Sequence, residues 1–312
     1  MGALNVITPV LTPETAHMNF NNFANESNWR NLCVDNRTNS NIFFDVELRP
    51  LCSFLKDGII DNGEQCVFDI AESRIIKVHG SKYALLKNSI AYDMVNEAIN
   101  ELGRKGILDV DGMHITDSCV AKGGKTIRQY VFPNHSVNVD GSDVLMRIVV
   151  INSYDGSANF SLQVGGFRIV CLNGMVSGSK FLNLNQRHSG NIQLGNIQNR
   201  LTTSVKSFEQ LGEYWKKMIS TPLTQKVSDN ILAQYTLENG RMNIKKFSMM
   251  CDLYENHVKD LGRNYWAMYN ALTAHATHYK VQERNIHNRA DVILGRENHV
   301  SSLINNKKVW QV

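Results

Sequence analysis

The chain has 312 residues, 43% of them hydrophobic, and a formal net charge of +4. That length accommodates two modest domains or one large one, and its apolar content is enough to bury a core, which excludes wholesale disorder. No apolar run reaches the roughly 18 residues of a membrane span. The first residues lack the basic-then-apolar pattern of a secretory signal, and Val6 stands where a myristoylation pattern needs Ser or Thr. Six cysteines without a C-x-x-C pair read as reduced, mostly buried thiols of a cytosolic protein; Cys171, after an apolar run, reads as a small core residue. Charge is uneven. Residues 191–312 hold 16 Lys/Arg against 10 Asp/Glu, whereas 1–190 hold 17 against 19. That asymmetry points to a polyanion met by the C-terminal part or by a seam it shares with the rest, and a solvated helical surface explains it nearly as well.

In chain order, residues 1–40 read as an irregular arm. Residues 41–70 hold short apolar runs, with a turn at DNGE (61–64). RIIKVHG (74–80) and KYALLKN (82–88) read as short strands. A helix capped by Ser89 follows, carried by Ile90, Met94, Val95, Ala98, Ile99 and Leu102, and ended by Gly103 or Gly106. Four glycine-centred turns then predict successive hairpins, at Asp111-Gly112, Gly123-Gly124, Asp140-Gly141 and Gly165-Gly166. From about residue 197 the period becomes helical: 197–219, a segment stopped by Gly240, a segment stopped by Gly262, then RNYWAMYNALTAHATHYK and a polar, basic, partly helical tail. Strands first and helices last predict an α+β fold. An antiparallel meander in the N-terminal two-thirds is covered by helices that also form a C-terminal lobe. The expected divisions are an arm (1–40), a β-rich domain with one helix (41–195) and a helical region with a basic tail (196–312).

Several chemistries can be weighed from residue types. His275 and His278 share a helix face, with His287 further on, but HATH lacks the Glu of H-E-x-x-H; a packed or surface pair is the reading, with no metal. Asp155, His188, His79 and Ser153 assemble into a triad on paper. No spacing places them together, and Ser153 lacks a G-x-S-x-G elbow. AKGGKTI (121–127) lacks Walker spacing and leads into a strand, so it reads as a hairpin tip. Single-stranded nucleic acid needs cations for phosphates and flat side chains for bases. The first ribbon offers Lys77, Lys82, Tyr83 and Lys87, and the next Lys122, Lys125, Arg128 and Tyr130. Arg147, Tyr154 and Arg168 follow, then Asn173 and Arg187. Phe160 and Phe167 read equally well as stacking or core aromatics. Trp215 and Trp266 read as core, and Trp310 in KKVWQV as a docking peptide.

The segments KVHGSKYALL, INSYDGSANF, VGGFRIVCLNGM, RHSG and WAMYNALTAHATH, in this order, resemble a family of phage- and plasmid-encoded proteins defined only as a domain of unknown function. The resemblance spans about residues 70–290. Its polar positions fall on Asn152, Asp155, Gly156, Ser157, Arg168, Cys171, Asn173, Gly174 and His188. It implies an early protein of a mobile element, encoded among DNA-metabolism genes and acting in the cytoplasm of an infected bacterium. Some phage relatives look like single-stranded DNA-binding proteins that help a phage RNA polymerase or recombination. The combined expectation is a non-enzymatic, cofactor-free single-stranded DNA-binding protein that self-associates along the strand. The alternative is a hydrolase or nuclease using Asp155 and His188.

Overall fold

A computed structural model describes residues 42–55, 58–168, 173–175, 183–190 and 197–312. The arm expected over 1–40 and the thiol of Cys171 lie outside the described residues, as do the side chains of Asn173 and His287. The fold is α+β, with antiparallel sheets in the first part and helices concentrated in the last.

Strands β1 (Val46–Leu55), β2 (Gly58–Asp69) and β3 (Arg74–Gly80) form a three-stranded meander. The turn expected at 61–64 is a bulge instead. Leu51 pairs with Glu64 but Cys52 with Asp61, so two extra residues are absorbed inside β2. The turn chemistry is real: Asp61 Oδ1 accepts the Gly63 N–H at 2.8 Å, and Gly63 has φ +66°. Pairing on both sides of it keeps the strand going.

Residues 82–87 do not form the strand expected there. The chain turns at 81–82, makes a single bridge between Tyr83 and Ser189, and continues without ladder pairing into α1 (Asn88–Arg104). This helix begins one residue before the Ser89 cap, because Asn88 is tied into a buried polar knot. Its backbone N–H donates to the Tyr154 hydroxyl (2.7 Å) and its amide to the Ile42 carbonyl (2.7 Å). Its Oδ1 accepts from Asn152 (2.7 Å) and Thr126 (3.1 Å).

The main sheet contains β4 (His114–Val120), β5 (Lys125–Val139), β6 (Ser142–Ser153), β7 (Phe160–Arg168) and β8 (Asn173–Met175) in that spatial order; β9 (Asn183–Gln186) also pairs with β7. Two expected hairpins form. Gly123-Gly124 lies between β4 and β5, and Asp140-Gly141 between β5 and β6 with φ of +52° and +80°, the left-handed pair that a two-residue hairpin demands. Two expected hairpins do not form. Gly165 and Gly166 pair with Arg147 and Met146 inside β7; the chain turns instead at 154–159, where Asp155 Oδ1 accepts the Ser157 N–H (2.9 Å) and Gly156 has φ +72°. Asp111-Gly112 is a turn leading into β4 with no strand before it, since Leu108 and Val110 pack back onto the end of α1.

The helices are α2 (Ile197–Ser220), α3 (Gln225–Tyr235), α4 (Ile244–Leu261), α5 (Tyr265–His278) and α6 (Arg289–Asn305). Gly262 (φ +78°) ends α4 as expected. Gly240 does not stop a helix: α3 ends at Tyr235, and Asn239-Gly240 turn a small ribbon of β10 (Leu237–Glu238) and β11 (Arg241–Met242). Asn243 and Asn264 cap α4 and α5 by accepting the Lys246 and Ala267 N–H groups. None of the described helices is long and apolar enough to cross a membrane.

Strand β6 is buried along most of its length. Val144, Met146, Ile148 and Val150 join a core with α1, α2 and α5, while Val149 and Ile151 pack with Ala290 and Leu294 of α6. Coverage on both faces explains why its sequence is a nearly unbroken apolar run. Helix α5 is buried from Tyr265 to Thr277, the signature of a core helix. Trp215 and Trp266 are core residues as expected. Trp310 is not a docking peptide: it is 3% exposed and packs edge-on against Tyr265, with centroids 5.0 Å apart.

Gly295 sits mid-helix in α6, exposed, and a Cβ placed there meets nothing within 4 Å. Gly295→Ala is therefore expected to stabilise the protein by about 0.5–1 kcal/mol, by lowering the conformational freedom lost on folding. A chemical-denaturation midpoint that stays put or falls would contradict this.

His275 of α5 is buried, and its Nδ1 lies 2.8 Å from the Tyr235 hydroxyl. Burial first, then the nearby positive groups Lys246, Arg296 and His299, push its pKa down to about 3. The unfolded chain thus takes up the proton first. The neutral ring's contribution is complete above about pH 6.5 and is lost as pH falls toward 3. Wild type is expected to lose stability by up to about 1.4 kcal/mol per pH unit between pH 6 and 4 from this group, and His275→Gln to show a shallower dependence in parallel denaturation curves.

Candidate functional site

Many of the cations and aromatics expected along a nucleic-acid groove are engaged within the fold. Arg128 donates from Nε and Nη2 to the two Asp117 carboxylate oxygens, both at 2.7 Å, with the Phe43 and Tyr92 rings nearby. Lys125 pairs with Asp291 at 2.8 Å and Lys87 with Asp45 at 2.6 Å. Arg147 makes a bidentate pair with Glu297 of α6, both contacts 2.9 Å, and donates from Nε to Gln129. Arg168 reaches Asp140 (2.5 Å), Asn270 (2.8 Å) and Ser142 (3.1 Å). Tyr130 donates to Asn96, and Tyr154 accepts from Asn88. Phe160 and Phe167 are buried core aromatics. These groups lie on opposite faces of the sheet and, Lys87 apart, are buried. They do not line one continuous trough.

A smaller set does come together, at the end of the main sheet. The end of β3 supplies His79, the segment after it Tyr83, the β6–β7 turn Asp155, and the chain after β9 His188. The His79 and Tyr83 rings are stacked with centroids 3.8 Å apart and planes 8° apart; His188 continues the stack on Tyr83 at 5.6 Å and 19°. His79 Nε2 donates to the Tyr154 carbonyl at 2.7 Å, which fixes that ring over the turn. The absence of a side chain at Gly156 allows this approach, since a Cβ there would stand 3.3 Å from His79 Cε1. Gly124 does the same on the other side: a Cβ would meet Asp155 Oδ2 at 2.6 Å.

His188 is the unusual member. It is a histidine only 8% exposed, with the Tyr83 ring across one of its faces. Burial outweighs a hydrogen bond to the Ala84 backbone and, with His79 adding to it, holds the His188 pKa below the ordinary histidine value. Burial, aided by the Asp155 charge, raises the Tyr83 hydroxyl well above its usual range. Ser153 takes no part: its hydroxyl donates to the Ala158 carbonyl at 2.6 Å, so no Ser–His–Asp triad forms.

Exposed cations neighbour these residues along the chain. Lys77 lies on β3, Lys82 beside Tyr83, Arg187 beside His188, and Lys122 at the β4–β5 tip, whose carbonyl accepts from Arg74. Gln65, which carries no sequence signal for a role here, holds the 80–83 turn by donating to the Tyr83 carbonyl at 2.8 Å. Asn173 lies in β8, paired with Arg168. Among the described residues no three His, Cys, Asp or Glu side chains converge so as to hold a metal ion.

A family model described as a domain of unknown function (DUF932) matches residues 76–303, and the chain belongs to that family. No solved structure matches the chain. The matched span contains His79, Tyr83, Asp155 and His188 and all of the main sheet.

Proposed function

We propose that this is a non-enzymatic single-stranded DNA-binding protein of a phage or related mobile element. It would hold unpaired DNA in the infected cell's cytoplasm for a polymerase or a recombination protein, with neighbouring copies meeting along the strand. What supports the reading is one stack of flat rings from distant segments, with exposed Lys77, Lys82 and Arg187 one or two residues along the chain from its members and exposed Lys122 at the β4–β5 tip next to Gly124, which faces Asp155. Cations beside ring faces are what a flexible strand of phosphates and bases engages. The contact is a compact corner, so affinity is modest and salt-sensitive. Four phosphate contacts on a single strand give a slope of log K against log salt of about −3.

Fluorescence anisotropy with oligo-dT and with duplex, at two salt concentrations, tests this. Oligo-dT is expected to bind more tightly than duplex, and Lys77→Ala/Lys82→Ala to flatten the salt slope by about 1.4. Equal binding to both forms, or none, removes the proposal.

A second reading rests on the neutral His188 ring stacked on Tyr83, with Asp155 close enough to act on the Tyr83 hydroxyl: a hydrolase or nuclease working by proton transfer at that ring. It expects Asp155→Asn or His188→Ala to abolish cleavage of a labelled oligonucleotide while the melting temperature stays near wild type. Absence of any cleavage by wild type disposes of it.

A further inference from the structure

On the other side of the 154–159 turn lies a cleft of about 350 Å³ between the main sheet and α6. One wall is a row of paired strand residues facing the same way: Ile151 of β6 opposite Ser161 of β7, Ser161 opposite Asn185 of β9, and Gln163 two residues along. The other wall is one face of α6, where Asp291, Leu294, Gly295 and Asn298 recur at helical spacing. Asn159 closes the end nearest the turn.

The chemistry of this lining is specific. Among the described residues its charges are Lys125 and Asp291, which neutralise each other at 2.8 Å. The rest of its polar character comes from amides and hydroxyls, each amide carrying donors and an acceptor. Ile151 and Leu294 add flat apolar surface. Gly295 leaves the helix wall bare at its centre, at the expense of helix propensity. A cleft of this size suits a small ring system. Without net charge, and mainly polar with an apolar patch on each wall at Ile151 and Leu294, it matches a flat, uncharged ring that carries donors and acceptors around its rim; amide side chains pair with nucleobase edges in just this way.

We propose that the cleft receives an unpaired nucleobase. The choice of ligand rests on the single-strand reading above, and the cleft lies one turn of chain away from the cationic corner that would hold the backbone. Base preference is then set here, by Gln163, Asn185 and Asn298, and the salt dependence is set at Lys77, Lys82, Lys122 and Arg187.

The test compares wild type, Gly295→Phe, which fills the cleft from a position with room for a side chain, and Gln163→Leu/Asn185→Leu. Each is titrated with oligo-dA, oligo-dC and oligo-dT and with the four deoxynucleosides. Thermal melting shows that each variant is folded, and Gly295→Ala serves as a control that keeps the cleft open. Wild type is expected to discriminate among the homopolymers. Both cleft variants are expected to bind about tenfold more weakly and to lose discrimination, with the salt slope unchanged. Variants that match wild type on every homopolymer overturn the cleft proposal and leave the binding reading standing. If wild type binds no oligonucleotide, the binding reading falls. Saturable deoxynucleoside binding that Gly295→Phe abolishes then still supports the cleft, and its absence overturns both.

Discussion

Glu297→Ala is expected to lower the unfolding free energy by about 3–5 kcal/mol, because it leaves the Arg147 guanidinium buried without its counter-charge. Both side chains are almost fully enclosed, at 8% and 5% exposure, and their two contacts are parallel at 2.9 Å. Gln129 can still accept from Nε, but it carries no charge. The adjoining cavity, lined by Phe167, Thr277 and Ile293 among others, measures about 20 Å³, room for roughly one water and far from a hydration shell. Arg147→Met/Glu297→Leu is expected to recover most of the loss, since two apolar side chains of similar bulk need no partner. Urea denaturation of the single and double variants measures both. A single-variant loss below about 1 kcal/mol would mean that solvent reaches the pair.

Asp140→Ala is expected to have a comparable effect, about 3–5 kcal/mol, from one carboxylate with several duties. Its Oδ2 accepts from Arg168 and from the Trp266 indole, both at 2.5 Å, and its Oδ1 from the Ser142 hydroxyl at 2.7 Å. The residue also holds φ +52° in the hairpin, where Asp is tolerated and Ala is not. Asp140→Asn keeps the backbone preference and one acceptor, so it is expected to fall between the two. Tryptophan fluorescence during denaturation reports the change directly at Trp266, and a wild-type midpoint in Asp140→Ala would show the turn to be self-sufficient.

Local signals in the sequence were legible where local chemistry decides. Asp140-Gly141 marks its hairpin because both residues suit positive φ, and helices such as α1 and α2 announce themselves by apolar spacing. Gly165-Gly166 misleads because Asp155-Gly156, ten residues earlier, offers better turn chemistry and leaves β7 to run straight through. The polar stretch around 152–188 was recognisable as important, but its residues divide in a way that composition does not reveal. Asn152 and Tyr154 hold the start of α1, and Arg168 joins the sheet to α5, through partners 64, 66 and 102 residues away. Asp155 and His188 instead meet His79 and Tyr83. Arg147 looked like a groove cation because its counter-charge, Glu297, lies 150 residues on, in a helix whose docking face no periodicity specifies. The cleft was invisible for the same reason: Gln163 and Asn298 acquire a common purpose only once α6 lies across β7.

The small meander has its own consequence for how the protein behaves in crowded solution. Among the described residues β1 and β3 are outer strands with no further ladder beyond them. Unpaired ribbon edges invite other chains to zip on. Here β1 carries Pro50, which has no N–H to offer, with Arg49 beside it, and its partner strand is kinked by the insertion at Asn62 and Gly63. On β3, exposed Lys77 lies between the exposed Ile75 and Val78, beside the half-buried Ile76. Imino acid, kink and ammonium group thus act as guards against fibrous stacking, which lets a chain with apolar side chains on an outer strand remain discrete.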